Sequence, residues 1–366
     1  MKVALITLHR VYNYGTALQA WSTQQVLEDA GHEVSVIDYI TPSRTKKAIF
    51  LEPAANGNQY GLRKLTYRFF KLFSIVLKEM TFGSFVRANL HLTKQYVTAE
   101  DLDNDPPKAD VYVTGSDQVW NSKYNHGVDR GFFLDFLPED AHRVAFVASF
   151  GATQLSAGEQ KEIGRYVGRY QALSVRESSA QKILESLGRP DAVWLIDPTL
   201  QIRKETWISM ASRRLVKEKY CILMLLYNED NHATEYARKI ANAKGLKLVK
   251  VSWEMKKPPM VDRLMTHRSP TDFLSLFYNA DFVVTNSFHG LAFSINFEKQ
   301  FVVVPRNEFN SRIESLLQLT GLEDRMVSSE QDALGAACRE IAYEPVREVL
   351  ERERERAAEY IKENMN

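Results

Sequence analysis

Val3-Ala4-Leu5-Ile6-Thr7-Leu8 is followed by Asn13-Tyr14-Gly15-Thr16, a helical pattern, Gly31 and a second apolar run from Val34 to Tyr39. The first run is short and almost wholly apolar, which fits a buried strand. Thr16 is a candidate N-cap. Leu18, Trp21, Val26 and Leu27 recur toward one face over residues 17–30, and Gly31 fits the C′ stop. Strand, loop, helix and strand in that order make a β-α-β unit, so a parallel sheet is expected.

Outward from this unit the alternation continues. Strands are expected over 110–114, 143–149, 173–175 and 192–196, with helices over 158–169 and 178–187. The chain turns polar over 201–219, taken as a crossing into a second lobe. There, strands over 220–226, 246–251, 282–285 and 301–304 alternate with helices over 233–243 and 270–279 and a short one after Gly290. The expected fold class is α/β: two Rossmann-like lobes with mainly parallel sheets, similar to glycosyltransferase fold B. The expected domains are 1–205 with a helical insert over about 45–105, then 206–343, then a C-terminal helix within 344–366. The run Glu351-Arg352-Glu353-Arg354-Glu355-Arg356 in that helix fits a solvated face with local ion pairs.

Bulk properties agree with a globular protein. A length of 366 residues suggests two domains. Apolar residues make up 45% and charged residues 25%, enough for a large core. A net charge of +1 gives no electrostatic reason to expect nucleic acid. Cys221 and Cys338 lie far apart, which speaks against a disulfide framework or a zinc knuckle, and Cys221 sits in an apolar run as a buried thiol. The first apolar run stops at His9-Arg10, too short for a signal-peptide core, and no stretch approaches a membrane span, so a cytoplasmic protein is expected. His126, His142, His232 and His267 show no metal-ligand spacing, and no metal or cofactor is expected. Dinucleotide, phosphate-loop and nucleophile-elbow motifs are absent.

In open α/β sheets ligands bind beyond the carboxyl ends of strands, and four such junctions are rich in polar groups. In the first, Asn13-Tyr14-Gly15-Thr16, a glycine and a helix N-terminus could face an anion or form a structural turn. The second, Gly115-Ser116-Asp117-Gln118-Val119-Trp120-Asn121, offers donors, acceptors and an aromatic ring suited to a sugar; otherwise it is a capped turn with Trp120 in the core. The third, Ser174-Val175-Arg176-Glu177, places an arginine at a strand end, for a phosphate or carboxylate grip or for an ion pair with Glu177 or another acid. The fourth, Asn286-Ser287-Phe288-His289-Gly290, sets an imidazole beside a helix N-terminus, suited to proton transfer or to a buried bond with a backbone carbonyl.

Taken together, these motifs resemble the polysaccharide pyruvyltransferase family. Asp197-Pro198-Thr199-Leu200, Phe297-Glu298-Lys299-Gln300-Phe301-Val302-Val303 and Arg312-Ile313-Glu314-Ser315-Leu316-Leu317 extend the likeness over roughly Lys2 to Arg325. The resemblance implies phosphoenolpyruvate as donor and a sugar of a cell-surface glycan precursor, which could be lipid-linked, as acceptor. The product would be a pyruvate ketal, with phosphate released. It points to His289 and Arg176 as catalytic. Several members carry an arginine two residues before the histidine where this chain has Ser287, so a donor-binding cation is expected from Arg312 or Lys299. Arg176, Ser287, His289, Gly290, Lys299 and Arg312 form the expected donor side. Asn13, Tyr14, Gly15, Ser116, Asp117, Gln118, Trp120 and Asn121 form the expected acceptor side.

Two rival readings stay open: a nucleotide-sugar glycosyltransferase of the same architecture, and a non-catalytic sugar-binding protein. The basic, aromatic segment 61–94 also has two readings. It is either an ordinary helical insert packed on the first lobe or a peripheral contact with an anionic membrane surface.

Overall fold

The computed structural model describes residues 1–51, 62–226, 232–254, 256–308 and 310–365. One sheet contains β1 (Lys2–Ile6), β2 (Glu33–Tyr39), β3 (Leu92–Tyr96), β4 (Val111–Thr114), β5 (Arg143–Ala148), β6 (Ala172–Val175) and β7 (Val193–Trp194). Its order is β3-β2-β1-β4-β5-β6-β7, and every pairing is parallel. The second contains β8 (Tyr220–Met224), β9 (Lys247–Val251), β10 (Arg263–Met265), β11 (Phe282–Thr285) and β12 (Phe301–Val303). Its order is β10-β9-β8-β11-β12, also parallel throughout. These are the two expected Rossmann-like lobes.

Strand order reverses between β1 and β4 in the first sheet and between β8 and β11 in the second. At such a point successive connections leave on opposite faces and a crevice opens beyond the carboxyl ends. The polar loops after β1, β4 and β11 therefore meet at the switch points of the two sheets.

The first helix, Tyr14–Asp29, is capped by Asn13, whose side chain accepts from the Gly15 amide, rather than by Thr16. Its residues from Tyr14 to Gln24 are all buried. Tyr14 stacks on Phe273 of the second lobe at 4.8 Å between centroids, and Trp21 packs on Trp207 at 5.0 Å. The helix is covered all round because both lobes close on it, and one continuous apolar core runs through the two lobes.

The charged stretch between the lobes is not a loose linker. Positions 205 and 206 fall inside the helix Lys204–Met210, whose Trp207 is fully buried against Trp21 and Phe293. The insert also departs from expectation. Its helices Leu62–Lys78 and Ser84–Asn89 are followed by an edge strand, β3, where only helix was expected. Lys94 and Gln95 are exposed on that strand, and such polar edge strands lack the apolar alternation that marks interior ones. Positions 52–61 of the insert lie outside the described residues.

The last helix, Glu344–Asn364, returns from the second lobe to the first. The Tyr360 hydroxyl donates to the Ala145 carbonyl at 2.9 Å, and Arg354 Nε donates to the Leu200 carbonyl at 2.9 Å. Its charged run has the expected local ion pairs, Glu351 with Arg354 and Glu353 with Arg356. It is not simply solvated, since Glu353 is buried where the helix docks. Cys221 is buried in β8. Among the described residues no helix is long and apolar enough to cross a membrane.

Candidate active site

The loops after β1, β4, β11 and β12 enclose a cavity of about 290 Å³ between the lobes. Asn13, Thr16, Asp117, Gln118, Asn121, Lys123 and Tyr124 line it from the first lobe. Asn286, Phe288, His289, Arg306, Arg312 and Ile313 face them from the second. One wall thus offers amides, hydroxyls, a carboxylate and an ammonium, and the other an amide, an imidazole and two guanidiniums. Gln118 Oε1 accepts from Asn121 Nδ2 at 2.6 Å, and Asn121 Oδ1 caps the helix Ser122–Asn125 by accepting from the Tyr124 amide. Those two side chains are therefore held in place before any ligand arrives.

His289 lies in the first turn of the helix Phe288–Asn296, capped by Ser287, whose Oγ accepts from the Gly290 amide. Two glycines let this helix start where it does. A Cβ on Gly290 would stand 2.3 Å from Thr285 Oγ1, and a Cβ on Gly15 would stand 2.0 Å from His289 Nδ1. The second contact crosses the lobes: the first helix abuts the imidazole through a residue with no side chain. Gly15→Ala is expected to displace the ring, lowering turnover and costing about 1–3 kcal/mol of stability. Paired turnover and unfolding measurements check both effects.

His289 is 6% exposed, and its Nε2 has no hydrogen-bond partner among the described residues. Burial pushes its pKa down to about 4; Asp197 and Asp117 pull the other way, and Arg176 and Arg312 add to the depression. The imidazole is neutral near pH 7, with a buried, unpartnered Nε2 on a residue that lines the cavity.

Of the two readings of Arg176, a ligand grip or an ion pair, the structure has the second: the side chain is fully buried beneath the cavity. Its Nη1 donates to Asp197 Oδ2 at 2.8 Å and its Nη2 to Asp117 Oδ1 at 3.1 Å. The Phe288 ring covers it at 4.8 Å, and Arg312 lies 5.9 Å from the same ring. Thr16 Oγ1 donates to Asp117 Oδ2 at 2.8 Å, while Ser116 Oγ and Thr199 Oγ1 donate to Asp197. Two carboxylates already hold the guanidinium, so it acts as a counter-charge rather than as a ligand grip. Burial alone would raise the Asp117 pKa, but Arg176, with His289, Thr16 and Arg312, brings it down to about 2. For Asp197 too, burial is outweighed, chiefly by Arg176, and its pKa falls below the ordinary value. Glu177, the nearest acid in sequence, accepts instead from Ser149 Oγ at 2.9 Å.

Asp117 lines the cavity with its backbone at φ 71°. This left-handed conformation is uncommon for a residue with a side chain and is met at sites where the surroundings hold it. Here Thr16, in the first turn of the first helix, and Arg176, just after β6, do so.

The expected site residues therefore divide into three groups. Asn13, Asp117, Gln118, Asn121, His289 and Arg312 line the cavity. Tyr14, Gly15, Ser116, Arg176, Ser287 and Gly290 are buried and support it from behind. Trp120 and Lys299 lie elsewhere. Trp120 is 2% exposed and stacks on Phe133 at 5.3 Å in the first-lobe core, because the turn after β4 directs it inward. Lys299 follows the far end of the His289 helix, just before the amino end of β12, with Nζ 5.4 Å from the Tyr278 ring. Arg306 and Lys123 were missed. Arg306 follows β12 by three residues, so its position after a strand was a usable signal; nothing in the pattern marked Lys123.

Among the described residues no group of three or more His, Cys, Asp or Glu side chains is placed to hold a metal ion. A family model described as polysaccharide pyruvyl transferase matches residues 13–308, a span that includes every cavity-lining loop except the last few residues around Arg312. The chain belongs to the polysaccharide pyruvyl transferase family. This member has no match among curated proteins. Solved structures with a similar fold include the UDP-GlcNAc 2-epimerase of Methanocaldococcus jannaschii. It is 12% identical, with a TM-score of 0.50 and coverage of 92% of this chain and 91% of that one. The UDP-GlcNAc 2-epimerase of Neisseria meningitidis, bound to UDP-GlcNAc, is 11% identical, with a TM-score of 0.50 and coverage of 100% and 99%. At such identities the likeness concerns the fold: two lobes facing across a cleft, here with the pyruvyl transferase family's loops at the cleft.

Proposed function

We propose that this chain transfers the pyruvyl unit of phosphoenolpyruvate to two hydroxyls of a sugar in a polysaccharide precursor, forming a cyclic ketal and releasing phosphate. The observation that carries the reading is the neutral imidazole of His289, with an unpartnered Nε2, in a cavity that has Arg306 and Arg312 on its wall. Phosphoenolpyruvate has two anionic groups flanking an enol carbon. Guanidiniums grip phosphate and carboxylate through paired N–H donors, so Arg312 keeps the donor-binding role expected of it, and Arg306 joins it in place of Arg176 and Lys299.

The proton balance suits one shuttle residue. The methylene carbon of the donor gains a proton, and the first sugar hydroxyl adds to the adjacent carbon. Phosphate departs with the C–O bond electrons, and the second hydroxyl closes the ring on the same carbon. Two hydroxyl protons leave the sugar; one ends in the new methyl group and the other on phosphate. A neutral His289 can accept a proton from a hydroxyl and return it as an acid, and the anionic donor beside it favours the protonated form. Asp117, Asn13, Gln118 and Asn121 present acceptors and amides to the sugar. Asp117 stays ionised, so it orients hydroxyls as an acceptor.

The direct test is phosphate release from phosphoenolpyruvate by the purified protein over a panel of hexosides, with mass analysis of the acceptor. Acceptor-dependent release and a product heavier by a pyruvyl ketal are the expected result. Release with no acceptor dependence, or binding of a nucleotide sugar but not of phosphoenolpyruvate, would overturn the reading. Arg312→Gln is expected to raise the KM for phosphoenolpyruvate about 10–100-fold, with a smaller change in the acceptor KM. Initial-rate kinetics with each substrate varied in turn check this.

A further inference from the structure

The helix Leu62–Lys78 and the turn after it expose an apolar face that is not covered by the described residues. Phe69, Phe70, Leu72, Phe73, Val76 and Met80 are each between 47% and 66% exposed. They are six of the ten large apolar side chains exposed among the described residues, and all fall within twelve positions. At 100° per residue, Phe69, Leu72, Phe73, Val76 and Met80 share one stripe. The helix is anchored from its other side. Ile75 is buried, and Lys78 Nζ lies 5.6 Å from the Tyr12 ring and 5.3 Å from the Trp253 ring. An exposed helix face is ordinarily polar; this one is apolar on the outside.

Charge identifies the occupant. Positions 61–94 hold seven Lys and Arg against one acid, Glu79, a net +6. The whole chain is +1, so the other 332 residues together carry −5. Glu79 is itself paired with Arg87 and Lys46. Two copies meeting through this face would bring like charges together, which disfavours a symmetric dimer. An apolar stripe bordered by Arg68, on a helix that also carries Lys71, suits the boundary between acyl chains and anionic headgroups, where aromatic and aliphatic side chains sink and basic ones meet phosphate.

We infer that the helix Leu62–Lys78 docks the protein on the surface of an anionic lipid bilayer. The anchored side of the helix lies close to the cavity. Phe82, in the turn directly after the helix, packs on Tyr14 at 5.0 Å, and Lys78 lies over Tyr12; these two tyrosines flank Asn13 at the cavity wall. Docking would thus hold the lobe that carries Asn13 at the bilayer, where a membrane-borne acceptor would be found. The docking itself does not rest on the pyruvyl-transfer reading.

Co-sedimentation of the full chain with phosphatidylcholine vesicles, with and without phosphatidylglycerol, tests the inference without measuring turnover. Binding is expected with the anionic vesicles and should weaken as salt rises. Arg68→Glu with Lys71→Glu should weaken partitioning at least about tenfold. Phe69→Ser with Phe70→Ser should also reduce it, with unfolding midpoints kept close to the parent because these rings are exposed. Three outcomes would overturn the inference: no binding to anionic vesicles, equal binding to neutral ones, or self-association in solution that the phenylalanine substitutions abolish without vesicle binding.

Discussion

His289→Ala is expected to lower turnover about 10²–10⁴-fold, the usual cost of losing a positioned proton-transfer group, while the protein stays folded. The ring occupies the contact with Gly15, so its removal leaves a small gap rather than a charged void. The variant separates the catalytic role from a supporting one through pH. The unfolded imidazole titrates near 6.5 and the folded one near 4, so between these values the unfolded chain holds the extra proton. Stability therefore falls as pH drops through that window. In His289→Ala the loss over the same window should be shallower. An anionic donor favours the imidazolium, so binding of phosphoenolpyruvate should take up protons, and His289→Ala should remove that uptake. Calorimetry in buffers of different ionisation enthalpy reads the uptake directly. Undiminished turnover in a folded variant would exclude the shuttle role.

Arg176→Met is expected to cost about 3–5 kcal/mol of stability, because it leaves Asp117 and Asp197 buried without their shared cation. A guanidinium held at 2.8 Å and 3.1 Å by two carboxylates under an aromatic ring has no water to replace it. Arg176→Lys should recover only part of the loss, since one ammonium cannot reproduce the two-sided fork. The triple change Arg176→Met, Asp117→Asn and Asp197→Asn should be more stable than Arg176→Met alone, because it removes the orphaned charges. Denaturant titrations of the three variants decide the point. If Arg176 served mainly as a ligand clamp, Arg176→Met would raise the donor KM and leave the unfolding midpoint near the parent value.

The β-α-β opening and the strands of both lobes were legible from apolar runs bounded by polar loops. Parallel strands are buried on both faces, and that burial writes itself into consecutive positions such as Val3–Leu8 and Tyr220–Leu226. Strands β3 and β10 were not, because an edge strand needs little apolar surface, and Lys94, Gln95 and Arg263 look like any surface residues. The loops that form the cleft were legible too, since strand ends followed by polar residues locate the crevice in this architecture. Asn13, Asp117, Gln118, Asn121, His289 and Arg312 could be named on that ground.

The sequence by itself determined the α/β class, the two lobes, the family likeness and the loops where chemistry should be sought, because these depend on local periodicity and on order along the chain. Only the tertiary structure decided what each side chain in those loops does. Arg176 and Arg312 look alike in sequence, yet one is locked between two buried carboxylates and the other lines the cavity. Trp120 and Gln118 are two residues apart, and the turn between them sends one into the core and the other toward the cleft. The contact between Gly15 and His289 joins residues 274 positions apart. Such differences come from long-range packing and from which charges are buried together, and neither is encoded at the neighbouring positions that sequence patterns compare.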